Sequence, residues 1–216
     1  MHMPERNRLA KIWAEVPADY YFHLNYFQKL WHEWKWLVIK HLLKKDGRSP
    51  GKILEIGCSG GHLTVLVGEL FPDAEVTGVD VYAPAIIEAK RRYPKHKFKQ
   101  ADAQKLPYSA NSFDIVYSSE TIEHVVDPKK MLEEITRVMQ PDGLAVIEMD
   151  SGSPLFRFIW HFWTNYGKGR VWRDAHLHPF TAKELEGLIR SNGFHIRNKM
   201  FSHFGMAVTF LVTKKH

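Results

Sequence analysis

The stretch that decides the fold is Ile53-Leu54-Glu55-Ile56-Gly57-Cys58-Ser59-Gly60-Gly61-His62. A short apolar run leads into glycines, and a segment of helical periodicity follows. This order predicts a buried strand that turns tightly into a helix. Glycines let a ligand approach the backbone closely, and the free amides of a helix N-terminus attract polar groups. Taken alone, the loop fits equally well a tight turn that binds nothing.

The same alternation of strand and helix continues along the chain. We predict strands at 52–56, 75–79, 97–100, 113–118, 143–149, 194–200 and 207–212. Helices are predicted at 19–45, 63–70, 84–92, 128–139 and 181–191, the last with a capping box from Thr181 to Glu184. Such alternation indicates an α/β fold whose mostly parallel sheet carries helices on both faces. Ligands of these sheets bind at the carboxyl ends of the strands.

The amino-acid composition is that of a globular protein. The chain has 216 residues, 44% of them hydrophobic, with one cysteine and a net charge of +6. We predict one domain over 1–216, with an N-terminal helical cap at about 1–46 and an aromatic lid insertion at about 151–180. The lone cysteine, and the lack of a membrane-spanning run or signal peptide, lead us to expect a cytoplasmic protein. The charge permits nucleic acid, anionic lipid or an acidic small molecule as partner.

Two acidic residues, Asp80 and Asp102, lie at the ends of the two predicted strands that follow Gly57. Asp80 ends the second strand and could accept hydrogen bonds from both ribose hydroxyls of a nucleoside, or could simply cap a helix. Asp102 follows the third strand and could accept from an adenine amino group, or be an ordinary loop carboxylate. A dinucleotide dehydrogenase would have Gly-x-Gly-x-x-Gly here, and only Gly57 matches it. The pattern therefore counts against NAD and leaves other nucleosides open.

Taken together, these segments resemble the class I methyltransferases that use S-adenosylmethionine (SAM), in particular the small-molecule group called type 11. The resemblance runs from about 52 to 149 and rests on ILEIGCSGGHL, VTGVD, ADAQKLPYSANSFDIVYSSETIEHV and LEEITRVMQPDGLAVIEM. It implies a Rossmann-like seven-stranded sheet with an antiparallel last strand. It also implies transfer of a methyl group from SAM, with S-adenosylhomocysteine as the product.

The resemblance assigns cofactor contacts residue by residue. It places Glu55, Gly57, Cys58, Ser59 and Gly61 around the methionine part of SAM, Asp80 and Val81 at the ribose, and Asp102 and Ala103 at the adenine. Ser119 and Glu120 are placed at the end of the fourth strand, near the transferred methyl group. The chain departs from the family pattern at Ser59, where glycine is common.

Methyl transfer needs a catalytic base only if the acceptor must lose a proton. His124 is the candidate general base, with Glu120 to orient it, and a packing or capping role is the alternative. His176-x-His178 could ligate a metal as an extended pair. Because no cysteine pair or His-Glu-x-x-His pattern accompanies it, we expect no metal site.

Two aromatic-rich segments, 20–27 and 156–173, predict the acceptor pocket. The candidate substrate residues in them are Tyr20, Tyr26, Trp160, Arg170 and Arg173. They suit a small, apolar or lipid-like acceptor, and aromatic residues beside basic ones also suit peripheral contact with a membrane. Part of this aromatic content would serve as plain packing of a lid. The alternatives are a SAM-binding module without catalysis, and an RNA or protein methyltransferase; nucleic acid ranks below a small molecule because no RNA-binding module is present.

Overall fold

The architecture is a seven-stranded sheet with helices on both faces. A computed structural model describes residues 11–17, 23–167 and 169–215. The strand order is β3-β2-β1-β4-β5-β7-β6. The strands are β1 Lys52–Ile56, β2 Glu75–Asp80, β3 Lys97–Gln100, β4 Phe113–Ser119, β5 Met139–Asp150, β6 Phe194–Ser202 and β7 Ala207–Lys214. Only β7 among them runs antiparallel to its neighbours, β5 and β6. The predicted Rossmann-like sheet with an antiparallel last strand is confirmed.

Six helices of at least nine residues lie in the described part of the chain. They are α1 Tyr26–Lys45, α2 His62–Leu70, α3 Ala83–Arg92, α4 Pro128–Val138, α5 Pro154–Tyr166 and α6 Ala182–Ser191. Apolar residues of α4 and α6 pack in one core cluster, and those of α1 and α2 pack in another. The predicted capping box is present at α6, where the amide of Glu184 donates to the Thr181 hydroxyl.

Two expectations for the N-terminal helix are wrong. It begins at Tyr26 rather than near residue 19, because Asn25 caps it by accepting from the Gln28 amide. The spacing of Phe27, Leu30, Trp31, Trp34, Leu37, Val38 and Leu42 predicts one apolar face, but the structure divides it: Val38 and Leu42 are buried, whereas Phe27, Leu30, Trp34 and Leu37 are exposed. The face that packs on the sheet consists of Lys35, Val38, Ile39, Leu42 and Leu43. A buried lysine takes the place of an apolar residue at the end of this stripe.

The segment between β5 and α6 contains the predicted lid. It holds α5 and a short 3₁₀ helix, Arg170–Trp172. Ser153 caps α5 by accepting from the Phe156 amide. No helix in the described ranges combines the length and apolar character needed to cross a bilayer.

Candidate active site

A cavity of about 940 Å³ opens at the carboxyl ends of β1, β2 and β4. Its walls come from the loops after these strands, from α1 and from the lid. At one end lie Gly57, Ser59, Asp80, Val81, Asp102 and Ala103; at the other lie Trp13, Trp31, Phe156, Trp160, Trp163 and Trp172. The structure thus brings residues of the predicted nucleoside site together with an aromatic compartment.

The glycine loop at the nucleoside end is shaped by its backbone. Gly57 has φ = 81°, and a Cβ atom there would lie 2.0 Å from the Thr121 hydroxyl oxygen. Only glycine fits here, because the close approach leaves no room for a Cβ atom and the left-handed region disfavours other residues. Ser59 also adopts a left-handed φ of 46°, which explains why glycine would suit this position.

Asp80 ties that loop to the end of β2. Its carboxylate accepts from the amide of Ser59 and from the amide of Tyr82, each at 2.8 Å. Burial raises the pKa of Asp80, and these backbone donors oppose that rise. Each carboxylate oxygen keeps a second lone pair, so the group can still accept from ribose hydroxyls. Asp102 also lines the cavity and accepts from the Gln104 amide at 2.8 Å.

Three other predicted cofactor residues lie beneath the loop rather than on the cavity wall. The buried Glu55 carboxylate accepts from the hydroxyls of Thr64 and Tyr117, and burial raises its pKa to about 7. Cys58 is buried against α3. Gly61 precedes α2 with φ = 81° and faces the Phe98 ring. Their direct contact with a cofactor stays a prediction. In the structure, the contacts of these residues hold the loop in place.

A cluster of buried charges forms the cavity floor behind Glu120. The Lys35 ammonium contacts the carboxylates of Glu120 at 2.6 Å, Asp150 at 3.0 Å and Glu148 at 3.1 Å. Burial would lower the pKa of Lys35, but the three carboxylates outweigh it and raise that pKa well above its usual value. Sequence reasoning missed Lys35. Its signal was a lysine three residues before Val38 and four before Ile39, inside an apolar stripe.

His124 lies on the wall of the cavity, beside its aromatic residues. Its ring lines the cavity and packs edge-on against Trp13, with 5.4 Å between ring centroids. Its Nδ1 lies 2.8 Å from the Ala175 carbonyl oxygen, so Nδ1 carries the hydrogen and Nε2 holds a lone pair. Burial lowers the pKa of His124. The neutral ring is able to accept a proton, and the base role stays a prediction.

Glu123 and His176 adjoin His124. Burial raises the pKa of the Glu123 carboxyl well above its usual range, and the nearby acids Asp150 and Glu120 add to the rise. His176 stacks on Trp160 with 4.4 Å between centroids, and burial lowers its pKa to about 3. Sequence reasoning paired His176 with His178, whereas the structure pairs it with His124 at 4.9 Å between centroids.

The cavity lining includes only some of the residues predicted to contact the acceptor. Trp160 lines the cavity, as do Ser119 and Glu120 at its floor. Tyr26, Arg170 and Arg173 do not line it: Tyr26 is 70% exposed, Arg170 is exposed, and Arg173 donates to the Thr164 carbonyl at 3.1 Å near the end of α5. A contact of Tyr26, Arg170 or Arg173 with the acceptor therefore stays a prediction. Tyr20 lies outside the described residues.

The amino-acid sequence is similar to those of known methyltransferases. A methyltransferase-domain family model matches residues 54–147. The ubiquinone/menaquinone biosynthesis C-methyltransferase UbiE of Campylobacter jejuni is 34% identical over 198 residues, covering 82% of this chain and 83% of that protein. UbiE of Bdellovibrio bacteriovorus is 30% identical, with 76% and 71% covered. The demethylmenaquinone methyltransferase of Chlorobaculum parvum is 28% identical over 66% of this chain, and the match spans only 59% of that enzyme.

Solved structures show the same fold. A SAM-dependent methyltransferase from Thermotoga maritima superposes with a TM-score of 0.66 at 23% identity, covering 86% of this chain and 92% of that one. Another from Mesorhizobium loti gives 0.65 at 18% identity. Together with the sequence relatives and the nucleoside end of the cavity, these matches lead to one conclusion. The chain belongs to the SAM-dependent methyltransferases.

Proposed function

We propose that this protein transfers the methyl group of SAM to a lipid-like acceptor of the quinone class. The observation that carries the proposal is the continuous cavity, in which the loop around Gly57 and Asp80 meets an aromatic compartment. Its volume of about 940 Å³ is near the upper end of ordinary ligand pockets, which suits two ligands held together. Relatives named for ubiquinone/menaquinone biosynthesis and for demethylmenaquinone support the acceptor class.

The residues present fit SAM. Gly57 leaves room that a side chain would fill, and Asp80 offers lone pairs beside the loop. The bound cofactor would supply an activated methyl group on a sulfonium. The acceptor's electron pair forms the new bond to the methyl carbon, the carbon–sulfur bond breaks with its pair left on sulfur, and the acceptor's proton passes to a base or to water. The chain's contribution is to align the two ligands and exclude water.

The acceptor end has the chemistry for a flat, apolar ring. Trp13 and Trp172 meet edge-to-face with 5.6 Å between centroids, and Trp160 and Trp163 are 5.3 Å apart. Large aromatic walls bind planar apolar groups through burial and stacking. His124 and Glu120 are polar groups on the same wall and would orient a ring oxygen.

Calorimetry and transfer assays together test the proposal. SAM, S-adenosylhomocysteine and NADH are titrated separately into the protein, and transfer of labelled methyl from SAM is followed with a short-chain demethylmenaquinone in both redox forms. We expect the first two ligands to bind, NADH not to bind, and label to enter the quinone. Binding without transfer to any quinone, RNA or protein substrate would support the non-catalytic alternative. Failure of SAM to bind would refute the cofactor assignment.

An exposed apolar stripe suggests how a lipid-like acceptor reaches the cavity. Along α5, Leu155, Phe158, Ile159, Phe162 and Tyr166 recur at three- and four-residue spacing and are 45–76% exposed. Ile159 also lines the cavity. Exposed apolar faces of this kind mark interaction surfaces, and the net charge of +6 suits an anionic bilayer. We propose that this face of α5 rests on the membrane surface.

Vesicle sedimentation tests the membrane contact. The protein is mixed with vesicles of phosphatidylcholine containing phosphatidylglycerol, and the bound fraction is compared with that of the double variant Phe158→Ser, Phe162→Ser. We expect the double variant to lose several-fold in binding, because two apolar side chains no longer enter the interface. Ile87→Ser on α3 is the matched control, since Ile87 is 67% exposed but lies on another helix. Equal loss in the control would contradict a role specific to α5.

A further inference from the structure

Three potential metal ligands converge at the acceptor end of the cavity. One donor atom from each of Glu123, His124 and His176 lies within 4.8 Å of the others. Glu123 and His124 belong to the loop between β4 and α4, and His176 belongs to the lid segment that follows the 3₁₀ helix. The amide of His178 donates to the Glu123 carbonyl at 3.1 Å and ties the two segments together. The fold therefore holds the three side chains side by side.

The Glu123 carboxylate lacks a partner. Its residue is only 3% exposed, and neither of its oxygens accepts a hydrogen bond from any residue in the described ranges. A buried carboxyl group without a hydrogen-bond partner is unfavourable in a folded protein. The neighbouring Lys35 ammonium is engaged by Glu120, Glu148 and Asp150. A cation at Glu123 would remove this penalty.

A hydrogen bond fixes the ring of His124, and stacking fixes the ring of His176. The Nδ1 hydrogen of His124 points to the Ala175 carbonyl at 2.8 Å, which leaves the Nε2 lone pair for another partner. Ligating histidines in proteins are held in the same way, by donation of the other ring N–H to a backbone carbonyl. His176 is clamped by stacking on Trp160 and, more distantly, on Phe156 at 6.3 Å between centroids.

We propose that Glu123, His124 and His176 bind a divalent first-row transition-metal ion. Two imidazoles and one carboxylate suit Mn²⁺, Fe²⁺, Co²⁺ or Zn²⁺ better than Mg²⁺ or Ca²⁺, which prefer oxygen ligands. Bonds to such an ion are about 2.0–2.2 Å long, so donor atoms that lie within 4.8 Å of one another must move closer together on binding. His124 and His176 line the cavity, so an ion held by them would be accessible from it.

The ion would change the role of His124. With Nε2 bound to metal, His124 would not accept a proton; the ion would instead supply a Lewis acid that could polarise an oxygen of the acceptor, and the proton of that oxygen would pass to water. This catalytic consequence rests on the proposed function, whereas the binding of the ion does not. The proposed site differs from our expectation of no metal, which rested on the pair His176-x-His178 and on the lack of a cysteine pair or a His-Glu-x-x-His pattern.

Metal titration tests the proposal directly. Protein without an affinity tag is dialysed against chelator and then titrated with ZnCl₂ by calorimetry and with CoCl₂ by visible absorption. We expect one equivalent of each ion to bind, Co²⁺ with the bands of a nitrogen- and oxygen-ligated site, and MgCl₂ to give no saturable binding. Glu123→Gln, His124→Ala and His176→Ala should each weaken Zn²⁺ affinity by at least about tenfold, as loss of even an outer-shell partner does.

His195→Ala is the matched control, since His195 is exposed on β6 and should leave the affinity unchanged. Thermal melts verify that each variant is folded, and Glu123→Gln keeps the side-chain shape if a histidine variant does not fold. No stoichiometric binding to the parent protein, or unchanged affinity in Glu123→Gln and His176→Ala, would overturn the proposal. Calorimetry with S-adenosylhomocysteine reports separately on the proposed function, so the two can fail independently.

Discussion

At the scale of single residues, Asp80 joins the loop to the cofactor site. Its carboxylate accepts from the Ser59 and Tyr82 amides and faces the cavity. We expect Asp80→Ala to weaken SAM binding by at least about tenfold, because a hydrogen bond to a charged group contributes about 1.5–3 kcal/mol. Calorimetry with S-adenosylhomocysteine measures the change. Asp73→Ala removes an exposed carboxylate nearby in sequence and should bind as the parent does; an unchanged Asp80→Ala would remove Asp80 from the site.

Glu55 makes stability depend on pH. Burial raises its pKa from 4.5 to about 7 in the folded state, so the folded protein holds this proton more tightly than the unfolded chain does. The contribution of Glu55 to stability therefore falls as pH rises from about 4.5 to 7, by about 3 kcal/mol, and is constant above that range. Glu55→Gln cannot titrate. Urea unfolding of both proteins at pH 5 and pH 8 should show the variant gaining stability relative to the parent at pH 8.

A pH-independent difference between the two proteins would contradict this account of Glu55. The hydroxyls of Thr64 and Tyr117 can donate to a glutamine oxygen as they do to the carboxylate, so the packing of the site is retained. A Tyr117→Phe variant of the parent removes one of the donors and should raise the pKa of Glu55 further.

At the scale of elements, Lys35 anchors α1 to the ends of β4 and β5. Lys35→Met would leave Glu120, Glu148 and Asp150 buried without their shared cation, and breaking a buried ion pair costs about 3–5 kcal/mol. We expect urea unfolding at pH 8 to show a loss of this size, and a smaller loss at pH 5, where Asp150, whose pKa burial raises to about 7, is protonated.

Lys44→Met serves as the control for Lys35→Met, because Lys44 lies on the same helix and is exposed. It should change stability by no more than about 0.5 kcal/mol, as surface substitutions usually do. Equal losses in the two variants would show that the buried charges contribute nothing specific to the attachment of α1.

Helices α6 and α1 show what could and could not be predicted from the sequence. Local signals located α6 to within one residue, because Thr181 and Glu184 form a cap that depends on near neighbours only. The outward turn of Phe27 and Trp34 in α1 could not be predicted from spacing, since both stripes of that helix have helical periodicity. Which stripe is buried depends on Glu120, Glu148 and Asp150, which lie far along the chain. The spacing around Gly57 and Asp80 likewise predicted a nucleoside site. The contact between His124 and His176 could not be predicted, because it depends on how the lid segment folds over the cavity.

At the scale of the whole molecule, ligand binding should stabilise the fold. The nucleoside end draws residues from the loops after β1, β2 and β3, so a bound cofactor links three parts of the sheet. S-Adenosylhomocysteine at 100 times its dissociation constant should add about 2.7 kcal/mol. For a chain of this size, that raises Tm by roughly 5–10 °C. Differential scanning fluorimetry measures the shift; NADH should give none, and an equal shift with NADH would contradict the preference for SAM.

The position of β7 also governs when the chain can fold. Residues 207–214 occupy an interior place in the sheet, between β5 and β6, although they come last in the sequence. During synthesis β5 and β6 emerge earlier and have no pairing with one another in the finished sheet. The backbone groups along their facing edges stay unpaired until β7 has left the ribosome and can insert between them. The growing polypeptide is thus prone to aggregate, and dependent on chaperones, in the interval after β6 has emerged and before β7 has.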